Sequence, residues 1–145
     1  MNKRIVVKNA DGTVGIIIPA KGYAIEDVAK KDVPEGLSFR IVDVDALPVS
    51  RNWRDAWTDD KPTKLVDVDL GKAKEVHKNL MVQQAVLKTS HDAFGKQDFA
   101  KVAKEIEDLK PAVDAAKTLD ELYNTFPASI NTRKDKRGYK VHKDV

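Results

Sequence analysis

The sequence predicts an α+β protein, with a small N-terminal β-rich part carrying a hairpin, followed by a C-terminal helical hairpin or small bundle. Three observations carry this reading. Residues 1–69 hold short β-branched runs broken by turn residues, and residues 70–130 repeat apolar positions at three-four spacing. Between them, residues 48–58 (PVSRNWRDAWT) hold both tryptophans of the chain. The remaining residues, 131–145, form a basic tail.

Residues 4–8 and 13–18 are β-branched runs joined by Asn9-Ala10-Asp11-Gly12, where Asp-Gly supplies the positive φ of a tight hairpin ending at Pro19. Residues 25–31 place Glu26 and Asp27 early and Lys30 and Lys31 late, the charge order that suits a helix dipole, so a short helix is expected there. Val33-Pro34-Glu35-Gly36 reads as a turn and Phe39-Arg40-Ile41-Val42 as a third strand. In the tryptophan segment Ser50 can cap a turn or two of helix over 51–57, which would set Trp53 and Trp57 on one face, i and i+4. Leu65-Val66-Asp67-Val68 reads as a fourth short strand.

A long helix is expected from about Leu70, capped by Asp69, to Phe94, with Ala73, Val76, Leu80, Leu87 and Phe94 on its seam and Gly95 as its stop. Asp98 opens a second helix with Phe99, Val102, Ala103, Ile106 and Leu109 on one face, ended or kinked by Pro111. Thr118 and Glu121 form a capping box for a third, through Leu119, Leu122, Tyr123 and Phe126 to Pro127. The three apolar faces can bury one another as an antiparallel bundle.

The chain of 145 residues suits one domain, or a small domain with a helical extension. It contains no cysteine, so disulfide and thiolate chemistry are excluded, and no apolar run long enough to span a membrane. The start, Met-Asn-Lys-Arg and then Ile-Val-Val, lacks the apolar region and cleavage site of a signal peptide. The net charge of +3 is a property of the tail: residues 131–145 carry six Lys and Arg against two Asp, and the rest of the chain has 20 basic and 21 acidic residues.

Val42–Asp45 and Val66–Asp69 both spell Val-Asp-Val-Asp, whose alternate carboxylates could face a hard cation from a strand; such residues more often form a solvated face or cap helices and turns. His77, His91 and His142 have no metal-ligand spacing, and His77 and His91 would stand about 21 Å apart along a helix. No nucleophile elbow, phosphate loop or dinucleotide fingerprint is present. The expectation is therefore no enzyme, no cofactor and no metal.

Candidate contact residues fall in two places. Trp57 reads as core at the joint between strands and helices, and Trp53 serves equally as core or as an exposed anchor flanked by Arg51 and Arg54. In the tail, Arg133, Lys134, Lys136, Arg137, Tyr139 and Lys140 could track phosphates, with Tyr139 stacking on a base, or contact a protein partner, against the alternative of a solvated terminus.

Lys31-Asp32-Val33-Pro34-Glu35-Gly36, Phe39-Arg40-Ile41-Val42-Asp43, Leu47-Pro48, Arg54-Asp55-Ala56-Trp57 and Val68-Asp69 before Lys72-Ala73-Lys74-Glu75-Val76-His77 follow one another in an order with a parallel elsewhere. Ala115-Ala116-Lys117-Thr118-Leu119-Asp120-Glu121-Leu122 and Phe126-Pro127 continue it. This order, over residues 31–127, resembles a group of small tailed-bacteriophage proteins often encoded near tail or tail-fibre genes; the basic tail departs from that pattern. The resemblance implies a structural or accessory protein of the virion tail region, or of the host cytoplasm during assembly. Its partners would be other phage tail or fibre proteins or a second copy of the chain, and it offers no catalytic residue to carry over. The alternatives are a tail-fibre assembly chaperone absent from the mature virion, and a nucleic-acid-binding or host-inhibiting phage protein using the basic tail.

Overall fold

Lys3–Lys8 (β1) and Val14–Ile17 (β2) form the expected hairpin in the computed structural model, which describes residues 2–60, 65–90, 98–131 and 142. Gly12 takes φ +85°, and Asn9 N–H closes the loop on Thr13 O at 2.9 Å. Asp11 Oδ1 accepts from both the Thr13 N–H and the Thr13 hydroxyl, so the turn residues satisfy one another locally. Phe39–Asp43 (β3) pairs antiparallel with the other edge of β1, giving the order β2-β1-β3.

Both faces of this sheet are covered, which is why β1 shows an unbroken Ile5-Val6-Val7 run in place of alternation. Ile5 and Val7, with Ile17 and Ile41, pack on Ala29, Ile25 and Val28 of the helix Ile25–Asp32 (α1). Val6, Val14 and Val42 face the other way, onto Ala46, Trp57 and Val66. Each fully buried valine or isoleucine contributes about 1.5–3 kcal/mol of transfer free energy, so the two layers together fix the register. The second layer is pinned by main-chain bonds: Val66 N–H donates to Ala46 O and Asp69 N–H to Ala56 O, both at 2.8 Å. Trp57–Thr58 (β4) pairs antiparallel with Asp67–Val68 (β5), a strand shorter than the sequence suggests.

The described residues divide into two compact units, one of residues 2–69 with His142, the other starting at Leu70. In the second, Leu70–Ser90 (α2) packs on Phe99–Ala115 (α3) and Leu119–Asn124 (α4). Lys74 near the start of α2 donates through Nζ to Asp114 O at 2.8 Å, near the end of α3, and Lys78, one turn on, pairs with the Asp114 carboxylate at 2.6 Å, so α2 and α3 run antiparallel. Asp98 caps α3 by accepting from Ala100 N–H. At α4 Thr118 Oγ1 accepts from Glu121 N–H at 3.1 Å, and Glu121 reaches back to Lys117 N–H, one residue before the usual capping-box donor.

Three helical expectations are corrected. The buried seam of α2 is Ala73, His77, Met81 and Ala85, at strict four-residue spacing, and Leu87 is 51% exposed. Small alanines let the helices approach, and an imidazole takes a core position because a carbonyl meets it there. Of the two outcomes expected at Pro111, the ending does not occur: α3 runs on to Ala115 and so brings Val113 into the core; Phe99, at its start, is 46% exposed. Residue Phe126 lies beyond α4, which closes at Asn124. His91, Phe94 and Gly95 lie outside the described residues.

Candidate functional site

The tryptophan segment is not a helix. Ser50 Oγ accepts from Asn52 N–H at 3.1 Å, as a capping serine should, but only one 3₁₀ turn follows, Arg54–Ala56. Trp53 is left-handed (φ 57°, ψ 36°) and Trp57 extended (φ −65°, ψ 143°), so the two indoles do not share a helical face. Trp53 is 2% exposed, which corrects its reading as an exposed anchor. A left-handed conformation costs a bulky residue about 1–2 kcal/mol, and burial of the indole offsets it. Trp57 is core, within the first unit: it is buried with Val6, Val14 and Val42 of the sheet and with Ala46 and Val66. Its Nε1–H has no acceptor among the described residues.

Arg54 lies against Trp57, its guanidinium carbon 4.3 Å from the ring centroid, and donates through Nη1 to Val14 O at 2.7 Å. Because Asn9 and Lys8 direct their N–H groups to Thr13 and Ser38 respectively, the Lys8↔Val14 and Val6↔Ile16 pairs are the wide ones, and Val14 and Ile16 point their main-chain groups away from β1. Arg54 thus occupies one carbonyl of the outer edge of β2. Burial lowers its pKa from the ordinary arginine value, partly opposed by the nearby Asp55 carboxylate.

Arg54 also helps to line a cleft of about 400 Å³ in the first unit. Arg4 and Arg51 stand at the same cleft with a single carboxylate, Asp45, and its apolar wall includes Ile16, Leu47 and Trp57. Two further wall residues, Ile18 and Val49, are 57% and 61% exposed. Arg4 is shared with an adjoining concavity of about 340 Å³ that adds Lys3, Lys21 and Tyr23, itself 71% exposed. Residues 1–69 carry 11 basic and 12 acidic side chains, yet these two hollows collect five of the former and one of the latter. Of the other carboxylates, Asp43 stands across the β1–β3 ladder from Lys3 and Asp55 acts on the charge of Arg54, whereas Asp59 takes a bidentate Arg40 guanidinium and Asp60 pairs with Lys8 at 2.6 Å.

Of the residues expected to make contacts, Arg51 and Arg54 come together at this cleft and Trp53 is withdrawn into the interior. Arg133, Lys134, Lys136, Arg137, Tyr139 and Lys140 lie outside the described residues. Arg4, Ile18 and Val49 were missed by sequence reasoning. Strand parity puts Arg4 on the face of Val6, but only the tertiary fold brings it to Arg51. His142 is buried, with Nε2 3.6 Å from Asp67 Oδ1, beyond hydrogen-bond range. Among the described residues no cluster of His, Asp or Glu could hold a metal, and no helix is long and apolar enough to cross a membrane.

The chain matches no protein-family model, no curated protein and no solved structure.

Proposed function

We propose that this chain is a non-enzymatic structural or accessory protein of the tail or tail-fibre region of a tailed bacteriophage, acting through protein–protein contacts. The ordered run of motifs over residues 31–127 supports the phage setting. The observation that carries the contact role is the cleft, where arginines line a partly exposed aliphatic wall, a composition suited to recognition. Arg54-Asp55-Ala56-Trp57, one of the motifs of the resemblance, supplies two of its lining side chains, Arg54 and Trp57.

The test is quantitative mass spectrometry of particles purified through a density gradient and washed in high salt. The chain is expected in the particle, in fixed ratio to the tail proteins. Its absence, together with co-purification with a fibre protein when the two are expressed jointly, would transfer the assignment to an assembly chaperone. Salt-sensitive DNA binding lost on deleting residues 131–145 would instead favour the nucleic-acid reading.

A further inference from the structure

We infer that the cleft and the adjoining concavity form one track for an extended, acidic and apolar segment of a partner protein, alternating carboxylate with aliphatic side chains. The inference deepens the contact role proposed above and rests on it for its biological setting. Charge complementarity selects the sign of the partner. Five cations and one carboxylate line the two hollows, and even with Asp43 across the ladder from Lys3 and Asp55 beside Arg54 the excess is cationic, which disfavours a basic occupant. The walls select an aliphatic side chain. Ile18 and Val49 are more than half exposed beside Arg4 and Arg51, so a partner that buries them gains apolar area while its carboxylates stay at the guanidinium rim.

The shape selects an extended chain over a compact ligand. Two hollows of about 400 and 340 Å³ share Arg4, and β2 is an outer strand whose Ile16 main-chain groups point away from β1. A segment lying along that edge would find one strand-pairing position at Ile16, since Val14 O is already taken by Arg54. Side chains with a period of two would then alternate between the cleft and its rim. Only Tyr23 among the exposed side chains of the track offers a face for a stacked base, so a single-stranded nucleic acid is the poorer fit.

The experiment titrates the full chain, ¹⁵N-labelled, with a pool of capped hexapeptides in which Asp or Glu alternates with Ile, Leu or Val. Saturable shifts are expected at the amides of Ile16, Ile18, Val49 and Arg51. A matched pool with Asn and Gln should bind at least tenfold more weakly, and raised salt should weaken the acidic pool. Arg51→Glu and Arg4→Glu, singly, should each weaken binding at least tenfold, and Lys30→Glu on α1 serves as a charge control expected to change it less than twofold. Equal binding of the amide pool, an unchanged affinity in both arginine variants, tighter binding of an oligothymidylate of equal charge, or no saturable shift at millimolar peptide would each overturn the inference. Particles that incorporate the Arg4→Glu, Arg51→Glu double variant at the wild-type level would also overturn it, while leaving the tail assignment standing. Peptide binding as expected, by a chain missing from particles, would support the track and remove the tail assignment.

Discussion

The two units solve the same problem with different materials. The first buries β-branched residues on both faces of a three-stranded sheet and closes one face with a tryptophan. The second has a seam of alanines, one methionine and one histidine along its longest helix, and ties its loose ends by polar side chains reaching backbone oxygens or one another. His77 donates from Nε2 to Thr125 O at 2.6 Å and meets Phe126 edge-on at 6.1 Å; Lys88 donates to Ile130 O at 2.6 Å; the Ser129 hydroxyl donates to Glu105. Sheet residues can bury themselves because their main-chain groups are paired by the ladder, whereas the described residues just after α4, 125–131, have no ladder and take partners from helix side chains. The difference leaves the first unit free to spend arginines on its surface.

This contrast can be broken most sharply at the two central side chains. Trp57→Ala should destabilise the first unit by about 3–5 kcal/mol, read as faster amide exchange across β1 to β3. His77→Ala should cost about 2–4 kcal/mol, from a cavity and an orphaned Thr125 carbonyl, with exchange rising in α2 and around 122–126. A larger loss at His77 than at Trp57 would reverse the comparison. Next in size, Asp59→Asn removes the charge that holds the partly buried Arg40 and should cost about 1–3 kcal/mol in denaturant unfolding.

Sequence pattern revealed the hairpin, α1 and the start of α4, because each is fixed by neighbours in the chain: Asp11-Gly12, the Glu26-to-Lys31 charge order, Thr118 with Glu121. It misplaced what depends on distant partners. Apolar spacing places the α2 seam at Ala73, Val76, Leu80, Leu87 and Phe94, and of the described ones only Ala73 is fully buried, since nothing local signals that Thr125 would supply a carbonyl to His77. Trp53 adopts a conformation that no tryptophan prefers, held by burial that the i, i+4 spacing could not reveal. Of the cleft, Arg51 and Arg54 were legible as cations beside tryptophans. Arg4, Ile18 and Val49 were not, because they come from other segments and meet only in the fold.

Two smaller effects sharpen the contrast. Hydrogen bonds to Asp114 and Glu75 hold the Lys78 pKa above its usual 10.5. A raised folded value means this contribution is complete below the unfolded pKa and is lost as pH rises through the folded one. Thermal stability of the helical unit should therefore fall slightly only above about pH 10.5, by well under about 1 kcal/mol after solvent screening, and Lys78→Met should remove that dependence. Smallest of all, Arg51→Ala should change stability by no more than about 0.5 kcal/mol, as befits an exposed side chain whose proposed use is contact.

The most direct measurement places a photoreactive residue at Val49, on the wall of the cleft, or at Val82, an exposed apolar position of α2, and irradiates particles during assembly. The account predicts a covalent adduct from position 49 with a tail or fibre protein, mapping to an acidic, aliphatic segment, and none from position 82. An adduct from position 82 with none from position 49 would contradict it.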